Sequence, residues 1–184
     1  MNKVKTKKVY VCETEYGEFE LPAEPVSYLA EKIIVKACDD GGFKVAYPVD
    51  GFVDGESYFD QYDGLRFFNT RRDRQAIDEL DENWSIFGVD KYEHSSVAFA
   101  LAGSFSCPWD TTRGVYALAV SNDFSEPELT ARQVLEEYTS WCNGDVFSVV
   151  VAEYDKDRRF IDHDIYGNAF GSKQLDQLLA EVSP

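Results

Sequence analysis

Residues 92–114 read YEHSSVAFALAGSFSCPWDTTRG, and the run that decides the fold is VAFALA at 97–102. Six apolar residues between polar clusters have the length of a strand, too short for a helix. At about 3.3 Å per residue they cover roughly 20 Å. Gly103 and Ser104 permit a turn, and the next apolar run, 115–120, is expected to return antiparallel to the first. The stretch also holds one of the two histidines, one of the four cysteines and one of the three tryptophans. Three readings of its polar ends stay open. A thiol with an imidazole in reach makes a nucleophile and its base, so Cys107 is a candidate nucleophile, His94 its base and Asp110 the group that orients the ring, with Glu93 beside them. The plainer reading buries Cys107, turns the chain at Pro108, caps the core with Trp109 and spends Asp110 on the loop's own amides. The third lets the loop, Trp109 included, touch a partner.

Downstream lies the clearest helix, over 126–142. Ser125 and Glu128 suggest a capping box, and Pro127 fits the first turn, where a missing donor costs little. Ala131, Val134, Leu135, Tyr138, Trp141 and Cys142 form the apolar stripe, with Cys142 read as a packed helix-end residue. Gly144 is placed to end the helix. The apolar run 146–152 is expected as a central strand. A polar turn is expected between Phe160 and Tyr166. Ser172 is read as the cap of a last helix with Leu175, Leu178, Leu179 and Val182 inward.

Upstream, alternation around Gly17 predicts a hairpin over 7–22, with Val9 and Val11 sharing one face. A helical turn is expected at 27–30, then a strand at 33–37. The Asp39-Asp40-Gly41-Gly42 turn leads to a strand at 43–47, ended by Pro48. Asp50, Asp54, Glu56, Asp60 and Asp63 alternate with glycines, but their spacing does not fit a calcium loop. A strand at 65–68 and a short helix at 73–82 follow, and Trp84 and Phe87 re-enter the core. Arg71, Arg72 and Arg74 are expected to pair with nearby carboxylates. The expected architecture is α+β: a mostly antiparallel sheet of five to seven strands packed with two main helices. We read residues 1–184 as one compact domain, with residues 1–50 as an N-terminal hairpin subdomain.

The phrases YEHSS (92–96), GSFSCPWD (103–110) and WCNGDVFSVVV (141–151) resemble a family of small uncharacterised phage and plasmid proteins. The corresponding positions are His94, Ser95, 105–110, Gly114, 143–146, Tyr166 and Gly167. Phe147 stands where the family tends to have tyrosine, and the pair Thr111-Thr112 departs from it. The resemblance covers roughly residues 90–171. It implies an accessory protein of a mobile element and carries no catalytic residues over.

Charge narrows the function. The chain is 44% hydrophobic and 15% aromatic, enough for a packed core, and its formal net charge is −16. Direct nucleic-acid binding is not expected, because phosphate neutralisation needs the opposite sign. Between positions 78 and 145 stand thirteen acidic and three basic residues. A protein partner with a basic surface, from host or phage, is therefore expected. In its sharper form the protein is a nucleic-acid mimic that inhibits a host defence nuclease. Asp78, Glu79, Asp81, Glu82, Asp123, Glu126, Glu128, Glu136 and Glu137 are the candidate contacts, with Trp109 as an aromatic anchor. The alternatives are a small cysteine- or metal-dependent hydrolase using His94 and Cys107, and a non-catalytic structural accessory protein. His94, Asp162, His163 and Asp164 are the candidate metal ligands. No cofactor motif is present, and the favoured class is not an enzyme. The cysteines lack metal-clamp spacing, and neither a secretory leader nor an apolar membrane span is expected, which suggests a cytoplasmic protein.

Overall fold

The computed structural model describes residues 9–51 and 58–183. In chain order come β1 (Tyr10–Thr14), β2 (Gly17–Leu21), a 3-10 turn at Ser27–Lys32, β3 (Ile34–Ala37) and β4 (Phe43–Asp50). A 3-10 turn at Tyr58–Gln61 precedes β5 (Leu65–Asn69), the short α1 (Arg74–Asp78), β6 (Trp84–Glu93), β7 (Val97–Leu101), β8 (Thr111–Ser121) and α2 (Pro127–Asn143). Then come β9 (Val146–Tyr154), β10 (Phe160–Phe170) and α3 (Gly171–Val182). The fold is α+β and its strand pairs are antiparallel, with two substantial helices. The single sheet of five to seven strands is corrected: the described strands form sheets of two, four and four.

The chain divides into two compact units, one from the described residues of Met1–Phe52 with Val146–Pro184, the other from those of Val53–Asp145. The sequence reading set residues 1–50 apart as a hairpin subdomain of one domain. In the structure that segment shares its unit with the C-terminal strands and α3. Of the acidic loop, Asp54 and Glu56 lie outside the described residues, as do Lys3, Lys5, Lys7 and Lys8.

In the first unit the sheet order is β10-β9-β4-β3. The run VFSVVVAEY makes β9 central because both of its faces are covered. Val150, Ala152 and Tyr154 pack against Cys12, Phe19 and Leu21 of the β1–β2 hairpin. Phe147, Val149 and Val151 pack against Leu175 and Leu179 of α3. Val45, Val149 and Val150 are fully buried, each worth roughly 1.5–3 kcal/mol. On β1 it is Cys12 that turns inward, and Val9 and Val11 face out. Pro48 does not end β4, which runs on to Asp50. The register of β3 stops at Ile34 opposite Ala46, so Pro48's missing donor falls on a side with no strand to bond. The turn expected near 160–166 is the strand β10, which lies at the sheet edge with nearly every residue exposed. An exposed edge carries charges as protection, and this gave it the composition of a turn. Ser172 does not cap α3; the Gln174 side chain accepts a hydrogen bond from the Phe170 N–H instead.

In the second unit the order is β5-β8-β6-β7. The returning strand β8 does not pair with β7, as the sequence suggested. Both pair with β6, a ten-residue strand that the interruptions Gly88, Asp90 and Lys91 concealed. β7 is an edge strand covered by α2. Asn143 accepts from the Val97 N–H at 3.0 Å and donates to its carbonyl at 2.7 Å, while the Thr139 hydroxyl accepts from the Phe99 N–H at 2.8 Å. The capping box at the start of α2 does not form: no side chain caps it, and Glu128 pairs with Arg132. Gly144 ends the helix in the left-handed region at φ 78°. Cys142 is exposed at the helix end, not packed.

Candidate functional site: the loop between β7 and β8

The β7–β8 loop, residues 102–110, carries SFSCPWD. Its base is fastened by backbone bonds, from the Ala102 N–H to the Gly88 carbonyl at 2.8 Å and from the Glu93 N–H to the Asp110 carbonyl at 2.9 Å. Beneath it lies Asp90, only 1% exposed. A buried carboxylate needs partners, and Asp90 has two. It accepts the Gly103 N–H at 2.8 Å, and the Arg113 Nε lies 3.8 Å away. Arg113 in turn donates to the Phe105 carbonyl at 2.7 Å, and the Phe105 ring packs against Tyr92 with centroids 5.6 Å apart. Asp90 and Arg113 thus brace the loop from below. Sequence reasoning missed both. The available signals were a charged residue inside an alternating strand and one of only three basic residues among positions 78–145.

The three candidate catalytic side chains do meet. The Cys107 thiol donates to Asp110 Oδ2 at 3.3 Å, and the half-exposed Asp110 places the same oxygen 3.8 Å from His94 Nδ1. The order is therefore thiol, carboxylate, imidazole. A nucleophile and its base need the imidazole next to the sulfur, and among the described residues no hydrogen bond joins His94 to Cys107. Asp110 is thus the shared neighbour of the thiol and the imidazole. Cys107 is half-buried rather than buried, and Trp109 does not cap the core: it is 92% exposed.

The metal candidates fall in different units of the chain. His94 belongs to the second unit and the Asp162-His163-Asp164 run to the first. Along β10 successive side chains alternate between faces, so His163 points away from its two neighbours, and its ring sits 5.8 Å from Phe160. Among the described residues no group of three His, Cys, Asp or Glu side chains is arranged to hold a metal.

The acidic candidates divide by how far they are engaged. Glu82, Glu126 and Glu136 are exposed. Asp78 lies 3.8 Å from Arg74, Glu79 accepts from Gln75, Asp81 caps Asn83, and Asp123 bonds Ser121. Glu137 is half-buried and accepts the Tyr58 hydroxyl at 2.7 Å; burial, then this carboxylate, pushes the Tyr58 phenol far above its ordinary range. On α2, Glu128, Arg132 and Glu136 recur every fourth residue, so a cation interrupts the row of carboxylates. Arg72 and Arg74 do pair locally, with Asp73 and Asp78.

Compared with protein-family models, curated proteins and solved structures, the chain matches none. No helix among the described residues is long and apolar enough to cross a membrane.

Proposed function

We propose that this protein is an acidic protein-binding factor that docks through the β7–β8 loop, with Trp109 as the anchor. The observation that carries this reading is a tryptophan 92% exposed on a loop braced from below by the buried Asp90 and the half-exposed Arg113. Tryptophan is the residue most enriched among binding hot spots, and a preorganised loop loses little entropy on docking. The net charge of −16 adds electrostatic attraction to a basic partner. The resemblance of roughly residues 90–171 to phage and plasmid proteins supports a role as an accessory factor of a mobile element. A host defence nuclease with a basic cleft is the partner type that fits this charge.

The finer form of the reading, mimicry of a nucleic acid, draws its support from the exposed Glu82, Glu126 and Glu136. The α2 row supports it less, since Arg132 divides it. The test begins with immobilised protein and a partner purified to homogeneity. Trp109→Ala should weaken binding at least about tenfold while thermal unfolding stays unchanged. A double reversal, Glu126→Lys with Glu136→Lys, should lower the association rate and flatten its salt dependence. Mimicry further requires that duplex DNA compete for the partner. Undiminished binding by Trp109→Ala would remove the proposal, and absence of DNA competition would remove the mimic form alone.

A further inference from the structure

The first unit holds a groove of about 640 Å³ along the free edge of β1, and the Trp109 reading makes no use of it. Val11 and Glu13 line one side, with Glu15 in the adjoining turn; Glu31, Ile33 and Val35 line the other. The backbone shows what kind of ligand suits it. Thr14 faces Gly17 across a two-residue turn, so Thr14, Cys12 and Tyr10 exchange their N–H and C=O groups with β2. Val11 and Glu13 must then direct theirs outward, and neither makes a backbone hydrogen bond to another segment among the described residues. On the far side, the Cys38 N–H to Gly42 carbonyl bond fixes the phase of the β3–β4 pairing. Lys36 and Ile34 bond β4, and Val35 faces outward as well. Two strand edges with unpaired backbone groups therefore border one groove.

Charge selects among extended ligands. Three carboxylates, Glu13, Glu15 and Glu31, line the groove, and among the described residues no lysine, arginine or histidine does. Among its apolar contacts, Val11, Ile33 and Val35 are β-branched. We infer that this groove takes an extended, lysine- or arginine-bearing peptide of a partner protein, added to β1 as a further strand. The peptide's backbone bonds Val11 and Glu13, its alternate side chains rest on Ile33 and Val35, and its cations meet the three carboxylates.

The probe is a labelled peptide of about six residues, a usual strand length, alternating lysine and valine, titrated into the intact protein by fluorescence anisotropy. It should bind, and its glutamate–valine counterpart should not. Glu31→Lys should weaken binding about tenfold or more. Val11→Pro removes an edge N–H without touching the β2 ladder, and should weaken binding about tenfold or more beyond the effect of Val11→Ala. N-methylating the peptide's alternate amides leaves the protein unaltered and should abolish binding, which keeps the test sound if Val11→Pro unfolds. Equal binding of the two peptides, or full affinity for the N-methylated one, overturns the inference. So does a protein that already self-associates through this edge and excludes the peptide, as sedimentation would reveal. Trp109→Ala should leave peptide affinity unchanged, which separates a failure here from a failure of the loop reading.

Discussion

Asp90 and Trp109 divide the labour of the β7–β8 loop between them. Asp90 is buried and holds the Gly103 N–H and Arg113, so its loss acts on stability. Asp90→Ala leaves a buried donor without its acceptor and should cost about 1–3 kcal/mol, measured as a lower urea midpoint at unchanged slope. Asp90→Asn keeps an acceptor oxygen and should cost less. Trp109 touches almost nothing, so Trp109→Ala should change stability by no more than about 0.5 kcal/mol. If Trp109→Ala were the more destabilising change, the loop would be part of the core and the anchor argument would fall.

Strand edges are where the elements of this protein are most exposed to error. β7 has its outer edge occupied by α2 through Thr139 and Asn143, four residues apart and so on one helix face. Asn143→Ala should cost about 1 kcal/mol and speed amide exchange at Val97 specifically, with a rise in self-association as the freed edge becomes available. Unchanged exchange at Val97 would show that the helix merely lies beside the strand. β10 is managed differently. Ile161 and Ile165 are more than half exposed on it, and the Asp162-His163-Asp164 run places charge mid-strand, which discourages pairing with a like strand. Among the described residues β1 has no such cover at Val11 and Glu13, the edge proposed above for a guest strand.

Across the molecule, buried phenols set the alkaline limit. Burial pushes Tyr47 up to about 12, against the ladder of bonds its hydroxyl makes with Ala23, and burial raises Tyr138 and Tyr154 further still. A phenol whose folded value lies above its unfolded one favours the folded state fully below the unfolded value. That contribution is lost as pH rises through the folded value. Stability should therefore hold up to a pH of about 10 and decline steeply toward 12: exposed tyrosines such as Tyr28 ionise first with the fold intact, and a second rise in tyrosinate absorbance accompanies the loss of helix signal. Tyr47→Phe should make the decline shallower. Ionisation of all eleven tyrosines near 10 with the helix signal intact would mean that these rings are not buried. The growing negative charge acts in the same direction, since a net charge of −16 already repels itself.

Local chemistry was legible without coordinates wherever a residue's role depends on its neighbours in the chain. Gly17 and Gly144 announced a turn and a helix end because few other residues accept a positive φ. The apolar runs of β7 and β9 and the stripes of α2 and α3 reported burial on faces whose periods are intrinsic to strand and helix. Other features rest on contacts between residues far apart in the chain, and these were not legible. Asp90 looked like an interruption because its partners, Gly103 and Arg113, stand well downstream. β10 looked like a turn because an edge strand needs no apolar face. Pro48 looked like a stop because its harmlessness depends on where β3 ends. Val9 and Val11 form as good an alternating set as Tyr10 and Cys12, and only the core formed by β4 and β9 selects which set goes inside. The chain's own periodicity thus marks the elements whose buried face is apolar and uninterrupted. Which edges pair, which polar groups are buried with partners, and which aromatic is left in solvent are settled by long-range packing, because those energies exist only once distant segments meet.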